Sequence, residues 1–163
     1  MNRREAPWDL LGALAGLERP DLWTVLVGDG PELAVLRARV EKKEIKRVVF
    51  AGYVPYAELA RCYAMADAFV HAAADEPWGV SVHEAVACGL PVIASSRVGA
   101  ARDLVLAGRN GFVYASGDAA ELRAKLAATI DTLDPEAVRG ANREVLARWN
   151  YARTWDGILE ACA

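Results

Sequence analysis

The feature that most constrains the fold of this chain is a fivefold alternation of short apolar runs with longer helical patterns. Each apolar run is too short for a buried helix and stops at a turn or polar signal, as a strand buried on both faces does. Strands are predicted at residues 22–27, 47–51, 68–71, 91–95 and 111–114, and helices at residues 31–43, 56–64, 80–88, 101–106 and 119–130.

This alternation predicts an α/β fold in which a doubly wound parallel sheet carries helices on both faces. Asp118 is predicted to cap the fifth helix, and Glu121, three residues later, to complete a capping box. Ligands of such sheets bind beyond the carboxyl ends of the strands. A site is therefore expected among the loops at residues 28–31, 52–56, 71–79, 95–100 and 114–118.

Length and composition favour a single globular domain. The chain has 163 residues, of which 54% are hydrophobic and 25% charged, and these values are ordinary for one domain. After residue 133 the sequence becomes polar and helical. We expect residues 1–163 to form one domain, with one or two terminal helices from about residue 134 that cross or cap the sheet.

Net charge and cysteine content restrict the expected binding partners and the cellular location of the protein. A net charge of −3 gives no reason to expect nucleic acid. The basic residues at 37–47 are most simply a solvated helix face, although they could also attract an acidic membrane. Three widely spaced cysteines fit a reduced protein, and no apolar run is long enough to span a bilayer. The predicted location is cytoplasmic, with peripheral association at the inner membrane face as a further expectation.

The segment between the third strand and the fourth helix carries two glutamates separated by seven residues. Glu76 lies before the helix, and Glu84 lies inside it among small or apolar neighbours. A glutamate buried there needs a partner, and a vicinal diol would serve. Between them, Gly79, Val80 and Ser81 begin the helix, where free N–H groups favour a phosphate or a polar sugar.

Each part of this segment also has an ordinary structural interpretation. A lone glutamate before a helix commonly complements the helix dipole, and a lone glycine commonly marks a turn. His71 and His83 stand where a catalytic histidine could act, but a packed or solvated histidine is the simpler interpretation. The combination, rather than any single residue, indicates a binding site.

The segment resembles the signature of the retaining GT-B glycosyltransferases known as group 1, or family 4. The shared pattern is Glu76 and Glu84 followed by small residues and a Gly-x-Pro-Val turn at residues 89–92. Other blocks resemble the same family in order and spacing, at residues 27–32, 49–54, 63–70 and 110–118. The resemblance covers residues 8–130 and extends more loosely to the end of the chain.

This resemblance implies a C-terminal, Rossmann-like donor domain that binds a nucleotide-diphosphate sugar with no metal and no other cofactor. It implies that Glu84 binds the ribose and that Glu76 contacts the donor sugar in catalysis. The backbone of Gly79, Val80 and Ser81 would meet the sugar and phosphates. Tyr53 and Val54 would flank the base.

The sequence also departs from the family pattern at its amino end. The family supplies an Arg and a Lys to the diphosphate from a segment that corresponds here to residues 1–7, where the Lys position falls near Glu5 and only Arg3 and Arg4 are basic. The family's first, central strand and its N-terminal acceptor-binding domain have no counterpart in the sequence. We therefore expect an incomplete sheet and an isolated chain that is inactive without a separate acceptor-binding domain or chain.

Two other functions remain open from the sequence. The chain could be a non-catalytic nucleotide-sugar-binding subunit of a split enzyme, or a degenerate fragment without ligand. Nucleotide binding distinguishes the last of these from the others.

Overall fold

A computed structural model describes residues 5–162, and its strands and helices alternate in the predicted order. The strand bounds differ from the predicted ones by at most two residues at either end. The helices are α1 Pro7–Leu14, α2 Leu33–Lys42, α3 Tyr56–Ala64, α4 Val80–Ala87, α5 Ala101–Leu104, α6 Ala119–Thr132, α7 Pro135–Arg148 and α8 Tyr151–Ala161, and the strands are β1 Thr24–Val27, β2 Val48–Gly52, β3 Phe69–His71, β4 Val92–Ser95 and β5 Gly111–Tyr114.

All strand pairs are parallel, which confirms the predicted fold class, but the strands form two sheets rather than one. β1 pairs with β2, and a separate sheet has the order β3-β4-β5. Within residues 5–162 no strand joins β1 to β3. The sheet is thus divided near its middle, where the sequence predicted that a strand would be missing.

The division leaves one edge of β1 without a hydrogen-bonding neighbour among the described residues. Thr24 N donates to Arg47 O over 2.9 Å, and Gly28 N donates to Gly52 O over 2.8 Å, so these residues face β2. Peptide groups alternate in direction along a strand, and those of Val25 and Val27 therefore point away from β2.

Buried side chains lie on both faces of the three-stranded sheet. Val92 and Ala94 of β4 belong to a core with α4 and α5, whereas Ile93 belongs to a second core with α1 and α6. All four residues of β4 are buried. Two cores separated by one sheet are the arrangement that a doubly wound fold requires.

Close packing of α1 against α6 brings the amino-terminal helix to the carboxyl edge of β5. A Cβ at Gly12 would lie 2.9 Å from the Cβ of Ala119, so only glycine permits this approach. The Asp9 carboxylate accepts hydrogen bonds from Gly117 N and from the Tyr114 hydroxyl, at 2.8 and 3.2 Å. α1 is therefore anchored beside the loop where a site was predicted.

The α6 cap is confirmed in part. Asp118 Oδ1 accepts from Ala120 N and Glu121 N, as an N-cap does. Glu121, however, accepts from Ala115 N, so the reciprocal bond of a capping box is absent from this part of the described chain. The prediction of a capping box was wrong because Asp118 N already donates to Ala115 O at 2.9 Å within the preceding turn, whose Ala115 N binds Glu121 instead.

α5 ends earlier than predicted because a buried asparagine takes over the hydrogen bonding of the chain that follows. The backbone becomes extended at Val105. Asn110 Oδ1 accepts from Leu106 N at 2.6 Å, while its Nδ2 donates to Leu104 O and to Asn142 Oδ1, each at 2.9 Å. This asparagine satisfies backbone groups that a longer helix would have paired internally.

Two terminal helices, α7 and α8, follow from residue 135 onward. α7 packs against α4 and α5, outside the sheet. Every residue of α8 that the structure describes is exposed, including Tyr151 and Trp155. In residues 5–162 no helix is both long and apolar enough to cross a membrane.

Candidate functional site

The turn that begins α4 requires a glycine for two independent reasons. Gly79 has φ 100°, in the left-handed region that glycine adopts without strain. A Cβ at this position would also lie 2.9 Å from Val98 Cγ1 and 3.4 Å from Glu76 Cγ. The glycine therefore allows the β3–α4 loop to turn tightly against the β4–α5 loop.

In the part of the chain that the structure describes, the start of α4 carries unpaired backbone donors. No side chain of residues 5–162 caps this end. Val82 N already donates to Gly79 O at 2.9 Å, which leaves the N–H groups of Val80 and Ser81 outside the helical pattern. Val80 is 63% exposed. The positive end of the helix dipole is thus open to an anion from solvent.

Glu84 has a protein partner that the sequence did not reveal. The Tyr63 hydroxyl lies 2.9 Å from Glu84 Oε2 and donates to it. Burial, followed by this hydrogen bond, raises the pKa of Tyr63 well above its usual value, so the phenol remains a donor. Within residues 5–162 no partner occupies Oε1, which stays available to a ligand.

Glu76 is held mainly through its backbone. Its N–H donates to Arg97 O at 3.2 Å, and its carbonyl accepts from Gly99 N at 3.0 Å. The carboxylate accepts a long hydrogen bond of 3.4 Å from Trp78 N. The side chain is 35% exposed, so it can reorient toward a ligand.

His71 packs beside Glu76, as the structural interpretation predicted, but one ring nitrogen remains unsatisfied. The ring stacks on Phe69 with centroids 6.1 Å apart. Nε2 is buried, has no hydrogen-bond partner among residues 5–162, and lies 3.9 Å from Glu76 Oε2. Burial lowers the pKa of His71, and the negative charges of Glu76 and Glu5 oppose this effect.

The loops after β3 and β4 form one unit. Glu76 and Val98 form an isolated parallel bridge, and Ala100 N donates to Trp78 O at 2.7 Å. Ser95 Oγ also donates to Ala73 O. The backbone that presents Glu76 and Gly79 is therefore fixed by β4, the central strand of its sheet.

The structure brings some predicted site residues together and leaves others apart. Glu76, Glu84 and the 79–81 backbone belong to one loop and helix. Tyr53 and Val54 follow β2 on the two-stranded sheet, and Tyr53 is 75% exposed. Arg3 and Arg4 lie outside the described residues. Glu5, which stands where a phosphate-binding Lys was expected, is close enough to His71 to affect its pKa.

The described chain offers no second site with comparable chemistry. A cavity of about 700 Å³ lies at the amino ends of β1 and β2, on the opposite edge from the loops above, and Thr24 and Arg47 contribute to its wall. Arg19, also in its wall, is paired with Asp21 and Asp131. Within residues 5–162 no three metal-binding side chains cluster.

Parallel strands, helices on both faces and an open helix start flanked by two glutamates define a Rossmann-like α/β domain of the GT-B type. The chain belongs to the glycosyl transferases group 1 family, whose model matches residues 2–141. The resemblance recognised from the sequence is therefore confirmed.

Relatives and solved structures agree with this assignment. A GDP-mannose-dependent alpha-mannosyltransferase of Mycolicibacterium smegmatis is 38% identical over 145 residues, which are 87% of this chain and 35% of that protein. A glycogen synthase of Mycobacterium tuberculosis is 29% identical over 158 residues, which are 95% and 37% of the two chains. Anabaena Alr3699/HepE, solved in complex with UDP and glucose, superposes with a TM-score of 0.86 at 26% identity, covering 99% of this chain and 46% of that one.

The chain thus spans between about a third and a half of the length of these proteins.

Proposed function

We propose that residues 1–163 are the donor-binding domain of a retaining glycosyltransferase that moves a hexose from a nucleoside diphosphate to an acceptor. The observation that carries this proposal is the uncapped start of α4, which lies between Glu76 and Glu84. Free N–H groups and the dipole suit a diphosphate, and a carboxylate one and a half turns away suits a ribose diol.

Each site residue has a defined role in the proposed reaction. Glu84 Oε1 accepts from the ribose hydroxyls, and the Val80 and Ser81 N–H groups donate to the phosphates. As the sugar departs, negative charge collects on the diphosphate, where these prepositioned donors stabilise it more than in the ground state. Glu76 contacts the donor sugar and is the proposed catalytic residue.

The proposed chemistry uses no metal and no other cofactor. In its place, the helix start supplies the positive potential that the leaving diphosphate needs. Glu5 stands where the resemblance implies a phosphate-binding Lys, and a carboxylate at that position would weaken this stabilisation, since charge-assisted hydrogen bonds to phosphate are among the strongest. We therefore propose that the isolated chain binds donor but transfers sugar slowly or not at all.

The donors named for the relatives indicate which base and sugar to test first. The M. smegmatis mannosyltransferase is named for its dependence on GDP-mannose, whereas the Anabaena structure holds UDP and glucose. We propose GDP as the first nucleotide to test and UDP as the second. Tyr53 and Val54, which follow β2, would flank the base of a nucleotide bound at the start of α4.

A specific observation also favours a split arrangement, in which this chain binds donor for a separate acceptor-binding domain or chain. α8 presents exposed apolar residues that include Trp155, Ile158 and Leu159, and Val25 and Val49 are exposed on β1 and β2. Such surfaces are typical of an interface.

The exposed thiols of Cys88 and Cys162 support a reducing, cytoplasmic location, and peripheral membrane association remains a prediction.

Calorimetric titration of the 163-residue chain with GDP, UDP and ADP and their sugars tests the proposal. We expect one nucleotide to bind and Glu84→Ala to weaken it at least ~10-fold, since a hydrogen bond to a charged group contributes about 1.5–3 kcal/mol. Glu41→Ala, on the exposed surface of α2, is the matched control and should leave affinity unchanged. A folded chain that binds none of these ligands would refute the proposal and leave a degenerate fragment.

A further inference from the structure

The Tyr63 side chain is fixed at a point where it can act on Glu84. It belongs to the last turns of α3, and its ring makes an edge-on contact with Phe69, with centroids 5.6 Å apart and an interplanar angle of 64°. The ring also packs against the core formed by α4 and α5. Because the ring is held on two sides, the hydroxyl has little freedom to move.

The hydroxyl has one proton and two acceptors within reach, both on α4. Glu84 Oε2 lies at 2.9 Å and Ser81 O at 3.5 Å. The carboxylate is both nearer and charged, so it is the stronger acceptor. Donation to Oε2 satisfies one carboxylate oxygen and orients the carboxylate, which would otherwise rotate about its terminal torsion.

No cation competes for this carboxylate among residues 5–162, where the ion pairs formed by arginine, lysine and histidine involve other acids. A neutral phenol is a suitable partner, because it orients the carboxylate without neutralising it. The charge on Glu84 remains available to a pair of ligand hydroxyls.

We propose that Tyr63 is a positioning residue that orients Glu84 for the 2′ and 3′ hydroxyls of the donor ribose, and so sets the preference of the site for ribonucleotides. This inference rests on the proposed donor-binding function. Tyr63 itself touches no ligand in this arrangement and acts only through Glu84.

The test compares affinities for two forms of one nucleotide. The probes are the nucleoside diphosphate among GDP, UDP and ADP that binds the wild-type chain, and its 2′,3′-dideoxy analogue. Calorimetry gives the ratio of their dissociation constants for the wild type, Tyr63→Phe, Glu84→Gln and the double variant. The ratio is internal to each protein, so a reduced active fraction does not alter it.

We expect the wild type to prefer the ribose form at least ~10-fold, as a lost hydrogen bond to a charged group predicts. Tyr63→Phe should reduce this preference about 5-fold and leave affinity for the dideoxy analogue nearly unchanged. In the Glu84→Gln background, Tyr63→Phe should change the ratio less than ~2-fold, because coupled residues are non-additive. Tyr151→Phe, on α8 and 96% exposed, is the matched control and should behave as the wild type.

The outcomes separate the two proposals. An unchanged ratio in Tyr63→Phe, with a ratio near one in Glu84→Gln, would overturn the positioning role and leave the donor site intact. An equal loss of affinity for both nucleotides in Tyr63→Phe would also overturn it, because a general structural defect weakens binding whether or not the ligand carries the two hydroxyls. Failure of the wild type to bind any nucleotide would overturn the donor-binding function and this inference with it.

Discussion

Replacing Gly99 with alanine should separate the two loops that form the site. A Cβ at this position would lie 2.0 Å from the carbonyl oxygen of Pro77 and 3.3 Å from Trp78 Cα. Both obstacles belong to the backbone of the β3–α4 loop. A backbone cannot avoid the methyl group by changing rotamer, so the loop must move.

The size of the effect follows from the hydrogen bonds that such a movement breaks. The Pro77 carbonyl must retreat by more than about 1 Å to reach an ordinary contact distance. Gly99 N and Ala100 N donate to Glu76 O and Trp78 O across the same junction, at 3.0 and 2.7 Å. Loss of both bonds with their groups still buried should cost about 2–4 kcal/mol. For a domain of this size that lowers Tm by about 5–15 °C.

Thermal unfolding followed by circular dichroism measures this change, and Gly140→Ala is the matched control. Gly140 lies within α7, where an added Cβ meets nothing within 4 Å. The same substitution should therefore stabilise that helix by up to about 1 kcal/mol. A Tm for Gly99→Ala at or above that of the wild type would refute the steric argument.

Three further predictions follow from buried or capping groups. Asn110→Ala removes the hydrogen-bond partner of Leu106 N, Leu104 O and Asn142 Oδ1. It should lower the free energy of unfolding, measured by urea titration, by ~3 kcal/mol, and an unchanged free energy would contradict the role given to this asparagine. Burial lowers the pKa of His71, so the unfolded chain binds more protons near pH 6.5. Wild-type stability should therefore be full above that pH and fall below it, and His71→Gln should flatten that fall. Asp118→Ala should cost about 1 kcal/mol and lower Tm by about 2–4 °C, and an unchanged Tm would show that the α6 cap is dispensable.

The sequence pattern was sufficient to predict the order of strands and helices from β1 to α6. The strands of the three-stranded sheet are buried or half-buried, as their apolar sequences predict. The prediction that β1 and β2 are buried on both faces was wrong, because β1 has one unpaired edge among the described residues and Val25, Val27 and Val49 are exposed. The bounds of the helices differ from the prediction for local reasons. α5 ends early because Asn110, six residues beyond its last residue, provides side-chain bonds to the backbone. Nothing in the helical pattern of residues 101–106 reveals that competition.

The exposure of Cys88 at the C-cap of α4 could not be predicted from the sequence either. A small apolar residue near a helix end has no periodic neighbour to settle which way it faces. The exposure of the apolar residues of α8 also depends on how distant elements pack, and the sequence of α8 alone does not determine it.

Only those residues of the candidate site that lie close together in the sequence could be predicted. Glu76, Gly79 and Glu84 belong to one segment, and their position around the start of a helix indicates what they could bind. Tyr63 lies 21 residues before its partner Glu84, on another helix. The only signal for it was that Glu84 needed a partner, and many residues could have supplied one.

Amide chemical-shift mapping of the labelled chain with GDP, or with the nucleotide that calorimetry selects, tests the central claim most directly. We expect the largest changes at Gly79, Val80 and Ser81, with loss of those changes in Glu84→Ala. The cavity at the amino ends of β1 and β2 provides an internal comparison, because Thr24 and Arg47 in its wall should not respond. Changes confined to that cavity, with the start of α4 unaffected, would contradict the donor site proposed for this glycosyltransferase domain.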